Sequence, residues 1–173
     1  MSNRAKQTTA DGGVGLTPMQ KIQKYFDLVA MEEYGGHDSI LPSVMMLESA
    51  TFDPTPSNPH NAKTVFSLTV PRSLCNMSGS LHGGAVALIF DICTSTAVAV
   101  TAKKGFWDTG NVSRTLNCTY IRPVKEGARV TVESEVVHLG KRMGMTRGVM
   151  RGEDGKICYT CEHGKAAVGK SSL

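Results

Sequence analysis

The feature that most constrains this chain is the apolar segment at residues 85–100, which reads AVALIFDICTSTAVAV. It is rich in alanine and apolar on nearly every side, but Asp91 and the cluster Thr94-Ser95-Thr96 interrupt it. A charge and three hydroxyl groups at its middle argue against a membrane span. A helix that is apolar all round is instead typical of a protein core. We therefore predict one buried helix here, which the rest of the chain must cover.

Strand-like runs lie on both sides of this predicted helix. Two precede it and four follow it, at 44–52, 61–70, 109–121, 128–138, 143–152 and 156–168. The turns between the last four runs are too short to hold crossover helices, so these strands are expected to pair antiparallel. Ahead of all the strands, Thr17 and Pro18 are typical of an N-cap and a first helical residue, and apolar spacing predicts an amphipathic helix over 18–34.

These elements predict an α+β architecture. Six antiparallel strands can cover a helix that is apolar on all sides only by curling around it, and a second subunit must help to close the surface. The chain is therefore predicted to self-associate. With 173 residues it has the length of one domain, predicted over 18–173, and the polar stretch 1–17 is predicted to be flexible.

Composition excludes several functional classes. The net charge of +4, from 19 basic and 15 acidic residues, is too small to indicate nucleic-acid binding but suits a small anionic ligand. The N-terminus lacks the apolar stretch of a secretory signal, and five cysteines at irregular spacing indicate reduced thiols, so an intracellular protein is predicted, cytoplasmic or mitochondrial. Cys158 and Cys161 form a C-x-x-C motif inside a strand-like run, and we interpret them as buried thiols; no metal site is predicted.

Asp91 is the sharpest candidate for chemistry. A carboxylate among Leu88, Ile89, Phe90 and Ile92 costs several kcal/mol unless it is paired or hydrated, and catalytic bases are often tuned in this way. The alternative is a structural carboxylate bonded to a neighbouring backbone group.

A second candidate lies just before the helix, at Leu81-His82-Gly83-Gly84. Helix N-termini present free N–H groups, and the Gly83 N–H could hold a developing oxyanion. The plain interpretation is a glycine-rich helix start with His82 as a partial cap.

Weaker signals surround these two. Ser113 on a strand and Asn76 in a loop mean little alone, since most such residues are structural. Basic residues in two late turns are normally solvated, but a pair of basic turns could also hold a diphosphate; they are Arg122, Lys125, Lys141 and Arg142.

Together these residues resemble the hotdog-fold acyl-CoA thioesterases of the PaaI-like branch. The resemblance rests on Asn76-x5-His82-Gly83-Gly84, on Asp91 nine residues after His82, on Ser113 in the next strand, and on Asn117-x-Thr119-Tyr120-x-Arg122-Pro123. The order of elements matches over about 44–168. It implies a curved six-stranded antiparallel sheet around a long central helix, in homodimers that commonly pair into homotetramers.

The resemblance also implies an activity, hydrolysis of an acyl-CoA thioester to a free acid and CoA without metal or further cofactor. It makes Asp91 the general base or nucleophile, Ser113 the residue that places the water, and Gly83 the oxyanion donor, with Asn76 and His82 in support. The CoA nucleotide is expected at Arg72, Tyr120, Arg122, Pro123, Lys125, His138, Gly140, Lys141 and Arg142. The loop 103–110 is longer than the family pattern, and Trp107 in it is expected to reshape the acyl pocket, so the acyl group stays open.

Three other functions compete with this one. A non-catalytic acyl-CoA-binding or sensing protein on the same fold would need neither Asp91 nor a placed water. A purely structural oligomer would leave Asp91 and the glycine-rich helix start unexplained. A hydratase on this fold would require an Asp/His pair at a different spacing.

Overall fold

The computed structural model describes residues 15–31 and 33–169. Its elements in chain order are α1 (Pro18–Val29), α2 (Leu41–Val44), β1 (Met45–Phe52), β2 (Ala62–Thr69), a 3-10 turn (Arg72–Leu74), α3 (Gly83–Thr101), β3 (Asn111–Tyr120), β4 (Arg129–Leu139), β5 (Met143–Gly152) and β6 (Ile157–Ala167). The six strands form one antiparallel sheet in the order β1-β2-β4-β5-β6-β3. The predicted six-stranded antiparallel sheet, central helix and N-terminal helix are confirmed.

The central helix α3 lies against the sheet and carries much of the core. Val86, Ile89, Phe90, Ala97 and Val98 are completely buried. By length and composition α3 is also the one helix among the described residues that could cross a membrane, but it contacts the strands instead. The interpretation of 85–100 as a core helix is therefore confirmed.

α1 begins as predicted but ends earlier. The Thr17 hydroxyl accepts from the Gln20 N–H at 3.3 Å and the Gln20 side chain accepts from the Thr17 N–H, which forms a capping box before Pro18. The helix stops at Val29 rather than at residue 34, and Ala30 is its C-cap, with the Ala30 N–H donating to the Phe26 carbonyl. Tyr34 instead donates its hydroxyl to Asp38 at 2.6 Å.

Lys21 fastens α1 to the end of α3. Its ammonium group donates to the carbonyl oxygens of Val100 and Ala102 at 2.9 and 2.8 Å, which satisfies acceptors that a helix C-terminus leaves free. On the other side of α1, Ile22, Phe26 and Val29 are buried. α1 is thereby held along α3, beside the cavity described below.

Strand β3 lies at one edge of the sheet. A short connection joins it to β4, yet it pairs with β6, and β4 lies between β2 and β5. The four late strands pair antiparallel, as predicted, although β3 pairs with β6 rather than with its neighbour in sequence, β4. Most of the side chains of β3 are exposed, and its outer edge has no pairing partner among the described residues. This edge becomes important for the site.

Candidate active site

Asp91 lies on the face of α3 that turns towards β3 and β6. Its Oδ1 accepts a hydrogen bond from the Ser113 hydroxyl at 2.7 Å, and Ser113 stands opposite Lys165 in the β3–β6 register. The register shifts just after Ser113, and bulges of this kind are common beside functional sites. The structure thus brings together Asp91 and Ser113, two residues singled out in the sequence 22 positions apart.

Two buried side chains that the sequence analysis did not select complete this cluster. Lys165 Nζ donates to Ser113 Oγ at 3.0 Å and to Ser95 Oγ at 2.8 Å, and lies 3.7 Å from Asp91 Oδ1. His163 Nε2 lies 3.5 Å from the same oxygen. Because side chains alternate along a strand, one face of β6 carries Tyr159, Cys161, His163 and Lys165. A polar and a charged residue at these inward strand positions were the sequence feature that could have revealed the cluster.

The His163 ring is neutral at neutral pH. Burial lowers the pKa of His163 to about 4, with a contribution from Lys165. Its Nδ1 contacts the Thr94 hydroxyl at 2.6 Å, while Nε2 is buried and has no hydrogen-bond partner among the described residues. The His163 ring therefore places a polar but uncharged group beside Asp91.

A cavity of about 430 Å³ opens in front of Asp91, and we call it the carboxylate cavity. Its walls come from α1, α3, β3 and β6: Tyr25, Asp91, Ile92, Ser95, Thr96, Ala99, Gly110, Asn111, Val112, Ser113 and Lys165. The Asp91 side chain is 38% exposed, and its Oδ2 has no hydrogen-bond partner within the described chain. One carboxylate oxygen is therefore held while the other is free to meet a ligand.

The start of α3 forms a separate cavity of about 370 Å³, the helix-start cavity, lined by Asn76, Ser78, Ser80, Leu81, Gly83, Tyr120, Ile121, Arg122, Pro123 and Tyr159. Gly83 is the first helical residue, so its N–H has no acceptor inside the helix. Tyr120 donates its hydroxyl to the Gly83 carbonyl at 3.0 Å. This cavity therefore presents a fixed backbone donor at the positive end of a helix dipole.

Asn76 and His82 hold fixed orientations beside that donor. Asn76 Oδ1 accepts from the backbone N–H groups of Ser78 and Ser80 and from the Ser78 hydroxyl, at 2.7 to 3.1 Å, which leaves its amide N–H groups for a ligand. His82 is the N-cap of α3, as predicted, and its Nδ1 accepts from the Gly84 N–H at 2.9 Å. The His82 ring proton is therefore on Nε2, which is exposed to solvent.

The two cavities share no residue within one chain. Gly83 and Asp91 are eight residues apart on α3, about 12 Å along its axis. The structure therefore brings Asp91 together with Ser113, and Gly83 together with Asn76 and Tyr120, but it does not join the two groups in one protomer.

The predicted nucleotide-binding residues also fall into two groups. Arg122, Pro123 and Tyr120 line the helix-start cavity; near it Lys125 donates to the Ser78 carbonyl at 3.3 Å, and Arg72 lies 3.5 Å from Glu126. The second group surrounds a surface cavity at the β4–β5 turn: His138, Gly140, Lys141 and Arg142. The two groups lie at opposite ends of β4.

Trp107 does not line the carboxylate cavity, so its expected role in shaping an acyl pocket there is not supported. The ring is 5% exposed, and its indole N–H donates to the Gly140 carbonyl at 3.0 Å. Trp107 therefore braces the β4–β5 turn.

Metal-binding side chains are not grouped in this site. Within residues 15–31 and 33–169, no three His, Cys, Asp or Glu side chains are placed to hold a metal ion. Cys158 and Cys161 of the C-x-x-C motif are both buried and free of disulfides.

Fold and site together define a hotdog-fold protein with a carboxylate on the central helix and a glycine at its N-terminus. The family model described as "Thioesterase superfamily" matches residues 78–159, which include Gly83, Asp91 and Ser113. Over that segment the chain is similar to this superfamily, in agreement with its predicted resemblance to the PaaI-like thioesterases.

Three relatives that this chain resembles carry the names of an esterase and two thioesterases. The chain is 34% identical over 103 residues to a Caenorhabditis elegans protein named as an esterase, covering 59% of each chain. It is 35% identical over 91 residues to the proofreading thioesterase EntH of Klebsiella pneumoniae, over 53% of this chain and 64% of the relative. It is 29% identical over 84 residues to human acyl-coenzyme A thioesterase 13, over 49% and 57%. The chain thus spans about three fifths of the length of these relatives.

Solved structures share the fold. Zebrafish thioesterase superfamily member 2 superposes with a TM-score of 0.72 at 21% identity, over 89% of this chain and all of that one. The PaaI protein of Escherichia coli superposes with a TM-score of 0.69 at 16% identity, over 88% and 94%. At these identities the likeness shows the fold alone.

Proposed function

We propose that this protein is an acyl-CoA thioesterase, which hydrolyses an acyl-CoA thioester to a free acid and coenzyme A. The observation that carries the proposal is Asp91, whose Oδ1 accepts from Ser113 and whose side chain, 38% exposed, lines a cavity of about 430 Å³. The names of the thioesterase relatives support the reaction class, and the acyl-coenzyme A thioesterase among them supports the CoA carrier.

In the proposed reaction, Asp91 Oδ2 takes a proton from a water molecule, whose oxygen bonds to the thioester carbonyl carbon. The carbonyl electron pair moves to its oxygen, which accepts from the Gly83 N–H. When that pair returns, the carbon–sulfur bond breaks, and the CoA thiolate takes the proton from Asp91. If Asp91 attacks the carbonyl carbon itself, the carbon–sulfur bond breaks, CoA leaves as a thiolate and an acyl–Asp91 anhydride forms. Water then cleaves the anhydride to the free acid and Asp91, and its proton goes to the thiolate. Where water attacks the Asp91 side of the anhydride, one turnover in ¹⁸O water labels the Asp91 carboxylate.

The positions of residues along strand β3 favour an active site that is formed by two protomers. Ser113 lies near its start and Tyr120 at its end, next to the helix-start cavity. If two β3 edges pair antiparallel about a two-fold axis, the Ser113 end of one strand meets the Tyr120 end of the other. The carboxylate cavity of one protomer then faces the helix-start cavity of its partner. Exposed apolar side chains at this edge, Val112, Tyr120 and Ile121, favour such a homodimer.

The same pairing would bring the two basic groups together. The β4–β5 turn lies at the end of the sheet where β3 begins, since Asn111 pairs with Ala167 and Met143 with Ala166. Lys141 and Arg142 of one protomer would therefore lie on the side of Arg122 and Lys125 of the other. Four cations around one cleft suit the phosphates of CoA.

A panel of short-chain, long-chain and aryl acyl-CoA thioesters, with release of free thiol as the readout, tests the proposal. The wild-type protein is expected to hydrolyse at least one of them, and Asp91→Asn is the matched inactive control. Binding of acyl-CoA without thiol release across the whole panel would contradict hydrolysis and favour the acyl-CoA-binding alternative.

A further inference from the structure

We propose that Lys165 is a positioning residue of this site, whose ammonium group orients two serine hydroxyls towards Asp91 and balances the negative charge of its carboxylate. The inference rests on the proposed function for its kinetic consequence but not for its electrostatic one. The match to the thioesterase family ends at residue 159, so it does not include Lys165.

The first argument is the burial of Lys165. Its side chain is only 2% exposed, and lysine is almost never fully buried unless it is paired. A purely structural lysine at this position would be a poor choice, because an apolar side chain of similar volume packs without losing hydration. The buried position is instead explained by the contacts of the ammonium group, because each is with Asp91 or with a serine that donates a hydrogen bond to Asp91.

The second argument concerns which group donates and which accepts in each hydrogen bond around Lys165. An ammonium group has three donors and no acceptor, so Ser113 Oγ and Ser95 Oγ must both accept from Lys165. Each hydroxyl then has its own hydrogen to donate onwards. Ser113 donates to Asp91 Oδ1 at 2.7 Å, and Ser95 donates to the Asp91 main-chain carbonyl at 2.5 Å. Lys165 thus holds Asp91 through its side chain and its backbone together.

The third argument is the charge balance around Asp91. The titratable groups that face the Asp91–Lys165 pair are Tyr25 on α1 and Cys161 and His163 on β6. Burial raises the pKa of Tyr25 and of Cys161 and lowers that of His163, so all three are neutral at neutral pH. Among the described residues, Lys165 is therefore the one cation within 4 Å of Asp91. Burial lowers the pKa of Lys165, and the negative charge of Asp91 opposes this effect, so Asp91 favours the charged form of Lys165.

Lys165→Met tests the proposal, with kcat and KM measured from pH 5 to pH 10 on the best substrate of the panel. We expect kcat to fall by roughly 10²-fold with KM little changed. The acid limb of the profile should move to higher pH, because Asp91 then ionises without a cation beside it. We expect the rate of the wild-type protein to fall at high pH as Lys165 loses its proton. This fall should be absent from Lys165→Met.

Lys21→Met is the matched control. It also removes a lysine amine that donates two hydrogen bonds to α3, but at the far end of the helix. It should lower thermal stability and leave the shape of the pH profile unchanged. Lys165→Gln separates the two roles of the ammonium group, because the amide still donates to the serines but carries no charge. It should shift the acid limb as Lys165→Met does while losing less kcat.

A titration followed by ¹³C NMR of labelled Asp91 gives a readout that does not depend on activity. The carboxyl titration midpoint should lie at higher pH in Lys165→Gln or Lys165→Met than in the wild-type protein. An unchanged midpoint in a folded variant would overturn the proposal, whether or not the protein is a thioesterase. An upward shift in a protein that hydrolyses no substrate would support Lys165 and contradict only the proposed function.

Discussion

Asp91 combines one held and one free carboxylate oxygen, and this asymmetry gives the residue its proposed chemistry. Oδ1 is surrounded by the Ser113 hydroxyl at 2.7 Å, His163 Nε2 at 3.5 Å and Lys165 Nζ at 3.7 Å. Oδ2 has no hydrogen-bond partner among the described residues, and Asp91 lines the carboxylate cavity. A carboxylate so placed keeps its orientation without losing access to a water molecule or a thioester.

Asp91→Asn is therefore expected to lose hydrolysis and keep its fold. The amide is the same size and can still accept from Ser113 at Oδ1, but it cannot take a proton or attack the thioester. Loss of a positioned base typically costs about 10²–10⁴-fold in rate. The measurement is thiol release under saturating substrate, with circular dichroism as the check on folding. A rate within threefold of wild type would remove Asp91 from the mechanism.

The packing of α3 on the sheet depends on a glycine of β5. A Cβ added to Gly148 would lie 2.6 Å from Phe90 Cδ1 and 2.8 Å from Phe90 Cε1, and the Phe90 side chain is completely buried. Such distances force the ring or the backbone to move. Gly148 therefore sets how closely the central helix approaches the sheet.

Gly148→Ala should lower the free energy of unfolding by about 1–3 kcal/mol, the usual range for overpacking a core. Chemical denaturation measures the change. Gly169→Ala is the control, because a Cβ at Gly169 would meet nothing within 4 Å. Both variants lose similar backbone freedom in the unfolded chain, so their difference reports the contact with Phe90. Equal stability of the two variants would show that α3 tolerates the methyl group.

The basic turns after β3 and β4 give a prediction about binding. Replacing Arg122 and Lys141 together by alanine should raise KM for acyl-CoA more than it lowers kcat, because these cations would hold the remote nucleotide rather than the reacting carbon. A truncated thioester without the nucleotide should be insensitive to the change. If the double substitution impairs hydrolysis of both substrates equally, the turns have another role, such as stabilising the dimer.

The whole molecule is predicted to act as a dimer, because one protomer holds Asp91, the proposed base, and Gly83, the proposed oxyanion donor, in separate cavities. General base and oxyanion donor must both reach the same thioester carbonyl. The unpaired β3 edge offers the surface through which a second copy would supply the missing half.

Complementation between two inactive variants tests this arrangement. Asp91→Asn and Asn76→Ala should each be nearly inactive, since each breaks both sites of its own dimer. After joint unfolding and refolding, half of the dimers should be mixed, and each mixed dimer contains one intact site. Activity should therefore return to about a quarter of wild type under random pairing. Mixed dimers that are confirmed by mass but show no recovered activity would mean that each chain carries a complete site.

Local sequence patterns were enough to predict the elements of this fold. The apolar run at 85–100 predicted the core helix, strand-like runs bounded by turn residues predicted the six strands, and Thr17-Pro18 predicted the start of α1, because these features depend on residues close together in the chain. Asp91 could be selected from the same local context, since a carboxylate is unusual among buried apolar neighbours.

The order of strands and the partners of Asp91 depended on contacts between distant residues. β3 pairs with β6 rather than β4, and this pairing alone places Ser113 opposite Lys165. His163 and Lys165 at inward positions of β6 indicate a buried polar partner, but nothing within β6 indicates that this partner is Asp91, 72 and 74 residues earlier. Strand register is chosen by packing across the whole core, so the polar cluster exists only once the sheet has closed around α3.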